Sequence, residues 1–133
     1  MKKEKVIHTQ GKRKKAIARA TLVPGKGKVT INGRYMDNFS NNMEKLRIIE
    51  PFVLAGDLAK EIDLEVNVRG GGVNGQADAI RLAVARALVS YNGKLKKTFE
   101  DYDRLLLVAD VRRKEVCKPN DSKARAKRQK SYR

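Results

Sequence analysis

Positive charge in this chain is concentrated at its two ends. Residues 1–19 hold eight basic residues against one acidic, residues 111–133 hold ten against two, and residues 20–110 hold thirteen against twelve. Only the near-neutral middle can close into a core without heavy self-repulsion. Like-charged ends poor in apolar groups stay extended until a polyanion neutralises them. The division predicts a globular domain over residues 1–110 and an extended basic tail over residues 111–133.

A polyanion-binding tail can serve nucleic acid, anionic lipid or an acidic protein. Binding to lipid asks for bulky apolar residues along one face of a basic helix. Residues 112–133 offer only Val116, Cys117 and Tyr132 besides small alanines. Nucleic acid is therefore the expected partner, because neutralising phosphates with release of counterions is the largest free-energy source open to such a segment. A merely solubilising tail does not account for ten cations in this stretch.

At 133 residues the chain has room for one modest core, and with 5% aromatics and no Trp that core must be built from Ala, Val, Ile and Leu. No run of residues approaches the length of a membrane span. The start, MKKEKVIHTQGKRKK, lacks the apolar region of a signal peptide, so a cytoplasmic protein is expected. Cys117 is the single cysteine and fits a reducing compartment.

Residues 15–23 alternate, with Ala16, Ala18, Ala20 and Leu22 on one face and Lys15, Ile17, Arg19 and Thr21 on the other. The turn Pro24-Gly25-Lys26-Gly27 follows, then residues 28–31 with Val29 and Ile31 inward. Together they read as a hairpin. Asn32-Gly33 marks a second turn before an irregular stretch over residues 34–40. Asn42 caps a helix with Met43, Leu46, Ile49 and Val53 as its apolar face, and Pro51 kinks or restarts it. Residues 64–69 alternate as a strand with Leu64, Val66 and Val68 inward. The strongest helix spans roughly residues 76–91, capped by Asn74, with Ala77, Ile80, Val84, Ala87, Leu88 and Tyr91 on its buried side. A more charged helix spans about residues 94–104, and residues 105–109 close the globular part.

The expected fold is α/β: a two-layer sandwich with helices on one face of a mixed, mostly antiparallel sheet. The other face carries Lys15, Arg19, Lys28, Glu65 and Arg69, and is open to solvent or ligand.

Between strand and strongest helix stands VRGGGVNGQADAIRLA, residues 68–83, in which Gly70, Gly72 and Gly75 spell G-x-G-x-x-G. A P-loop would place Lys and Ser or Thr where Gln76 and Ala77 stand, so magnesium-nucleotide chemistry lacks its ligands. A dinucleotide fold needs an acid ending a second parallel strand. Glu100 and Asp101 instead fall in a helical segment, and only the tail remains for further strands. Two readings of the turn stay open. Its N–H groups at a helix start can hold an RNA phosphate, or its glycines merely permit a tight turn and close packing.

Catalysis and metal binding fail on inventory. His8 and Cys117 make no zinc set and no nucleophile pair, and Glu100, Asp101 and Asp103 suggest no acid/base couple. No enzyme activity, cofactor, metal or small-molecule substrate is expected.

Several segments in one order resemble the small-subunit ribosomal protein nine family, whose eukaryotic members carry the number sixteen. They are GKRKKAIARA at residues 11–20, PGKGKVTINGR at 24–34, Glu50-Pro51, GGGVNGQADAIR at 70–81, DVRRKE at 110–115, Lys123-Ala124-Arg125 and QKSYR at 129–133. The Ser-Tyr-Arg ending and the short N-terminus look archaeal. Residues 118–122, KPNDS, depart from the family, which usually has glycines there.

The resemblance implies the fold of the second domain of ribosomal protein S5, with a left-handed crossover that the general handedness rule would not predict. It implies a non-catalytic component of the head of the small ribosomal subunit, beside neighbouring head proteins, with no membrane role. Contacts to small-subunit rRNA are expected from Lys12, Arg13, Lys14, Lys15 and Arg19, from Arg69, Gly71, Gly72 and Arg81, and from Arg112, Arg113, Lys114, Lys118, Lys123 and Arg125. The end of the tail, Lys127, Arg128, Gln129, Lys130, Ser131, Tyr132 and Arg133, would reach the anticodon stem-loop of the peptidyl-site tRNA. The alternative is a free-standing basic nucleic-acid-binding protein.

Overall fold

In the computed structural model, residues 5–35, 42–120 and 122–126 are described. Strands β1 (Ile7–Arg13), β2 (Ala16–Pro24), β3 (Val29–Ile31) and β4 (Arg34–Tyr35) precede helix α1 (Asn42–Ala55) and a 3-10 segment, Gly56–Glu61. Then come β5 (Ile62–Arg69), α2 (Val73–Tyr91), α3 (Leu95–Tyr102) and a 3-10 turn, Arg104–Leu106. The five strands form one sheet in the order β1-β2-β5-β3-β4. Every pairing is antiparallel except β3 with β5, so the sheet is mixed and mostly antiparallel as expected.

Alternation sets which face is buried. Ala16, Ala18, Ala20 and Leu22 of β2 and Ile62, Leu64, Val66 and Val68 of β5 are all buried beneath the helices, with Ile31 of β3. The inward side chains of β2 are mostly alanines, so α2 can sit close over the sheet. The closest approach is at Gly11 of β1, where a Cβ would fall 2.1 Å from the carbonyl oxygen of Ala79 and 2.7 Å from the nitrogen of Ala83. Thr9 Oγ1 donates to the Ala83 carbonyl at 2.8 Å and Arg86 Nη1 to the Gln10 carbonyl at 2.8 Å, tying the same strand to the helix. Helix α2 is buried on nearly all sides, from Ala77 to Leu88, because α1 packs on it as well.

The structure corrects several expectations. Strands β2 and β3 are not a hairpin, since β5 lies between them. The turn joining them is captured by the start of β5: Gly25 N donates to Glu61 O, Gly27 N to Ile62 O, and Lys26 N and Lys28 N both to Asp63 Oδ1. That draws β3 alongside β5 in parallel. Residues 7–13, within the cationic end, form a paired strand with Ile7 and Gly11 turned inward.

In α1 the face presented to the molecule carries Ile48 and Pro51, whereas Met43, Leu46 and Val53 are 60–71% exposed. The helix runs on through Pro51 to Ala55. Helix α2 starts at Val73 with Gly72 in the cap position, earlier than the cap expected at Asn74. Within residues 34–40 a short strand, β4, pairs with β3. After Leu106 no helix or strand occurs among the described residues.

Candidate nucleic-acid interface

The glycine turn joins β5 to α2 through two successive residues in the left-handed region, Gly70 at φ +77° and Gly71 at φ +66°. Side chains there would be strained and crowded, since a Cβ on Gly70 would lie 2.5 Å from the Lys15 carbonyl oxygen. Gln76 Nε2 donates back to the Gly70 carbonyl at 3.1 Å and holds the loop. Gly72 is different: its φ is −99° and a Cβ would meet nothing within 4 Å. The fold does not require glycine at this position.

The first helical bond of α2 is Gln76 N to Gly72 O at 2.9 Å. The N–H groups of Val73, Asn74 and Gly75 precede it and carry the partial positive charge of a helix start. They open into a cleft of about 870 Å³ lined by the glycines and by Arg13, Lys14, Lys15, Arg112, Arg113 and Lys114. Six cations and no carboxylate line this cleft. An anion with several oxygens is the ligand that such a lining can hold.

The tail root is fastened so that its cations join those of β1. Asp110 receives Arg112 Nη2 at 2.7 Å and Arg112 N at 2.9 Å, and lies 3.0 Å from Arg13 Nη1 without hydrogen-bond alignment. The Arg112 guanidinium holds the Asp110 carboxyl well below the usual carboxylate range, and Asp110 in turn raises Arg112. Arg113 donates to the Lys14 carbonyl. Each arginine keeps part of its donor fork for a ligand.

The expected site residues fall into separate groups. Arg13, Lys14, Lys15, Gly71, Gly72, Arg112, Arg113 and Lys114 converge on the cleft. Arg19 and Arg69 stand on the open sheet face, where they line a second groove of about 500 Å³. Lys12 is exposed on β1 beside them, in register with Ile17. Arg81 is set apart: its side chain is 13% exposed and Nη2 lies 2.6 Å from Glu50 and 3.1 Å from Asp103, which joins α2 to α1 and to the end of α3.

Lys118, Lys123 and Arg125 are exposed on the tail. Around the departure from the family pattern the tail turns back, with Lys118 N bonded to Ser122 O, Lys118 Nζ to Ala126 O, and Arg125 paired with Glu115, whose carboxyl it lowers. Lys127, Arg128, Gln129, Lys130, Ser131, Tyr132 and Arg133 lie outside the described residues.

Sequence reasoning missed Asp110 and Asn67. An Asp two residues before an Arg at the edge of a cationic run is a turn signal. Strand alternation alone puts Asn67 on the open face between Glu65 and Arg69. The dinucleotide reading finds no support in the topology, since no strand follows α2 among the described residues. Among those residues there is also no cluster of three metal-ligating side chains and no helix long and apolar enough to cross a membrane.

Comparison with known proteins gives one consistent result. The model of a family described as ribosomal protein S9/S16 matches residues 11–133. A protein of Methanococcus maripaludis named small ribosomal subunit protein uS9 is 48% identical over 133 residues, covering 97% of this chain and 99% of the relative. Proteins of the same name from Methanococcus vannielii and Pyrobaculum aerophilum are each 47% identical, with 97% of this chain covered and 99% and 92% of the relatives.

Proposed function

From the premise that this chain belongs to the ribosomal protein S9/S16 family, we propose that it is a non-catalytic structural component of the small ribosomal subunit in the cytoplasm. Its body binds small-subunit rRNA and its tail reaches the peptidyl-site tRNA. One observation carries the reading: the cleft at the start of α2, where the glycine turn and six cations from β1 and the tail root surround exposed N–H groups. Such a lining neutralises phosphates and positions the protein without reading sequence.

The contacts divide by element. Arg13, Lys14, Lys15, Gly71, Gly72, Arg112, Arg113 and Lys114 would hold backbone phosphates at the cleft, with Lys12, Arg19 and Arg69 extending the contact over the open sheet. Lys118, Lys123 and Arg125 continue it along the tail. Arg81 acts on the interface indirectly, by fixing α2 against its neighbours. Residues 127–133 would touch tRNA, Arg133 through its donor fork and Tyr132 by packing on sugar or base. Neighbouring head proteins are the expected protein partners.

Ultraviolet cross-linking in cells, with sequencing of the attached RNA and mass spectrometry of the attached peptides, tests this. Cross-links confined to one region of small-subunit rRNA, with the C-terminal peptide joined to tRNA, are expected. Cross-links scattered over many RNAs would favour a free-standing nucleic-acid binder. Deleting residues 127–133 should leave the body folded and assembled but weaken peptidyl-site tRNA binding; unchanged tRNA affinity would overturn the assignment of the tail.

A further inference from the structure

The open face of the sheet holds more than a patch of charge. The register of β2 with β5 sets Ile17 opposite Arg69 and Arg19 opposite Asn67. All four point away from the helices and all four are exposed. Cross-strand neighbours stand about 5 Å apart and residues two apart along a strand about 7 Å apart, so the four mark the corners of a rectangle close to the footprint of one nucleobase. The groove above it measures about 500 Å³ and has Asn32 as a wall. Asn32 is held against β5, its amide oxygen accepting from Val68 N at 2.9 Å and its amide nitrogen donating to Val68 O at 3.3 Å.

The occupants of the rectangle are unengaged. Arg81, Arg86, Arg112 and Arg125 each spend donors on carboxylates or carbonyls of the protein, and Arg13 is ion-paired with Asp110. The side chains of Arg19, Asn67 and Arg69 have no hydrogen bond or ion pair with any described residue. Ile17, beside them, leaves 37% of its surface exposed. Phosphate binding alone gives no reason for an apolar side chain or a neutral amide between two arginines. An unstacked base has an apolar face for Ile17, a π surface for a guanidinium, and an edge of donors and acceptors for the Asn67 amide.

Charge along the strands fixes which way the nucleotide lies. Lys12 stands opposite Ile17 on one side of β2 and Arg69 on the other, and Lys15 lies beyond toward the glycine turn. At the far end Thr21 faces Glu65, where a phosphate would be repelled. The phosphates therefore lie toward Lys12, Lys15 and Arg69, and the base over Ile17 toward Asn67.

We propose that the rectangle Ile17, Arg19, Asn67 and Arg69 is a pocket for one unpaired nucleobase of the bound RNA. The inference rests on the RNA-binding reading and goes beyond it, since this part of the sheet would read a base where the cleft holds only backbone.

The test is an NMR titration of the full chain, isotope-labelled, with a single-stranded hexanucleotide, with a duplex of the same length, and with a strand of equal charge whose bases are removed. The base-bearing single strand should move the Ile17 δ1 methyl upfield, through the ring current of a stacked base, and shift the Asn67 side-chain amide. The duplex and the abasic strand should leave the Ile17 methyl in place. Asn67→Ala should raise the midpoint of the methyl shift roughly three- to tenfold, the loss of one hydrogen bond, with the salt dependence unchanged. If the single strand binds but the methyl does not move, or moves equally with the abasic strand, the base pocket is wrong and the RNA-binding reading stands. If N67A leaves the midpoint unchanged, the amide does not read the base and the proposal fails in that form. If no strand binds at low salt, the RNA-binding reading itself fails.

Discussion

Arg13 Nη1 lies 3.0 Å from Asp110 Oδ2, so the last residue of β1 is joined to the last residue before the tail. Asp110 also receives the Arg112 backbone N–H and guanidinium. One carboxylate therefore aligns two arginines that would otherwise repel, and the tail leaves the body beside the glycine turn. Both side chains are largely covered, at 15% and 13% exposure, which limits screening by solvent and salt.

Asp110→Ala should free the tail root. The Arg112 amide, which donates to Asp110 Oδ1, is expected to lose its protection from hydrogen exchange while the amides of α2 keep theirs. In the wild-type chain the Asp110 carboxyl is held below the usual range by Arg112. A depressed carboxylate contributes above its unfolded pKa, about 3.9, and loses that contribution only as pH falls through the lowered value. Protection of Arg112 should thus persist from pH 7 to about pH 4. Loss of protection already at pH 5 would mean the pair does not hold the tail.

Gly11 and Gly72 should behave oppositely. Gly11→Ala drives a Cβ into the backbone of α2, and overpacking of this kind costs about 2–3 kcal/mol. A fall in Tm of roughly 10 °C should follow, visible in a thermal melt. Gly72→Ala has room for the added carbon and should change stability by less than about 0.5 kcal/mol. It should nonetheless weaken RNA binding by crowding the cleft. An equal loss of stability in both variants would show that Gly72 serves the fold alone.

Arg81→Gln removes the guanidinium that Glu50 and Asp103 share. The two carboxylates, each about one-third exposed, lose their partner, and a destabilisation of about 1–2 kcal/mol is expected by chemical denaturation. The slope of RNA affinity against salt should not change, because the charge of this arginine is taken up by the two carboxylates. A slope reduced by about 0.7 would count it as a phosphate contact.

Asp63 fixes the β2–β3 turn by accepting from Lys26 N and Lys28 N, and those bonds lower its pKa below the ordinary 3.8. Its contribution is present above the unfolded pKa and is lost as pH falls through the lower folded value. Asp63→Asn should therefore melt below wild type at pH 7, with the gap closing as pH drops below the folded value. Equal melting of the two proteins at pH 7 would assign the turn to its backbone bonds alone.

Much of the sheet was readable because alternation is a local signal: Ala16 to Leu22 and Leu64 to Val68 turn inward as their period requires. The hairpin expected from Pro24-Gly25-Lys26-Gly27 failed because a turn sequence specifies a reversal and not which strand receives it. Asp63 and the carbonyls of Glu61 and Ile62, more than thirty residues away, decided that. The apolar face of α1 misled for a related reason. Met43, Leu46 and Val53 share a period with one another, but burial of Ile48 and Pro51 depends on where α2 and the sheet lie.

Charge distribution, strand and helix periods and the glycine turn follow from the order of residues, since each acts over a few neighbours or by composition alone. From these came the basic termini, the α/β class, the expectation of a nucleic-acid partner and the family resemblance. Tertiary structure decided which cations work together and which are spent inside the fold. It brought Arg13, Gly72 and Arg112 to one cleft and turned Arg81 to Glu50 and Asp103. It also set Asn67 beside Arg19. The reason is physical: a guanidinium's role depends on the partners within a few ångströms of it, and chain closure alone determines them.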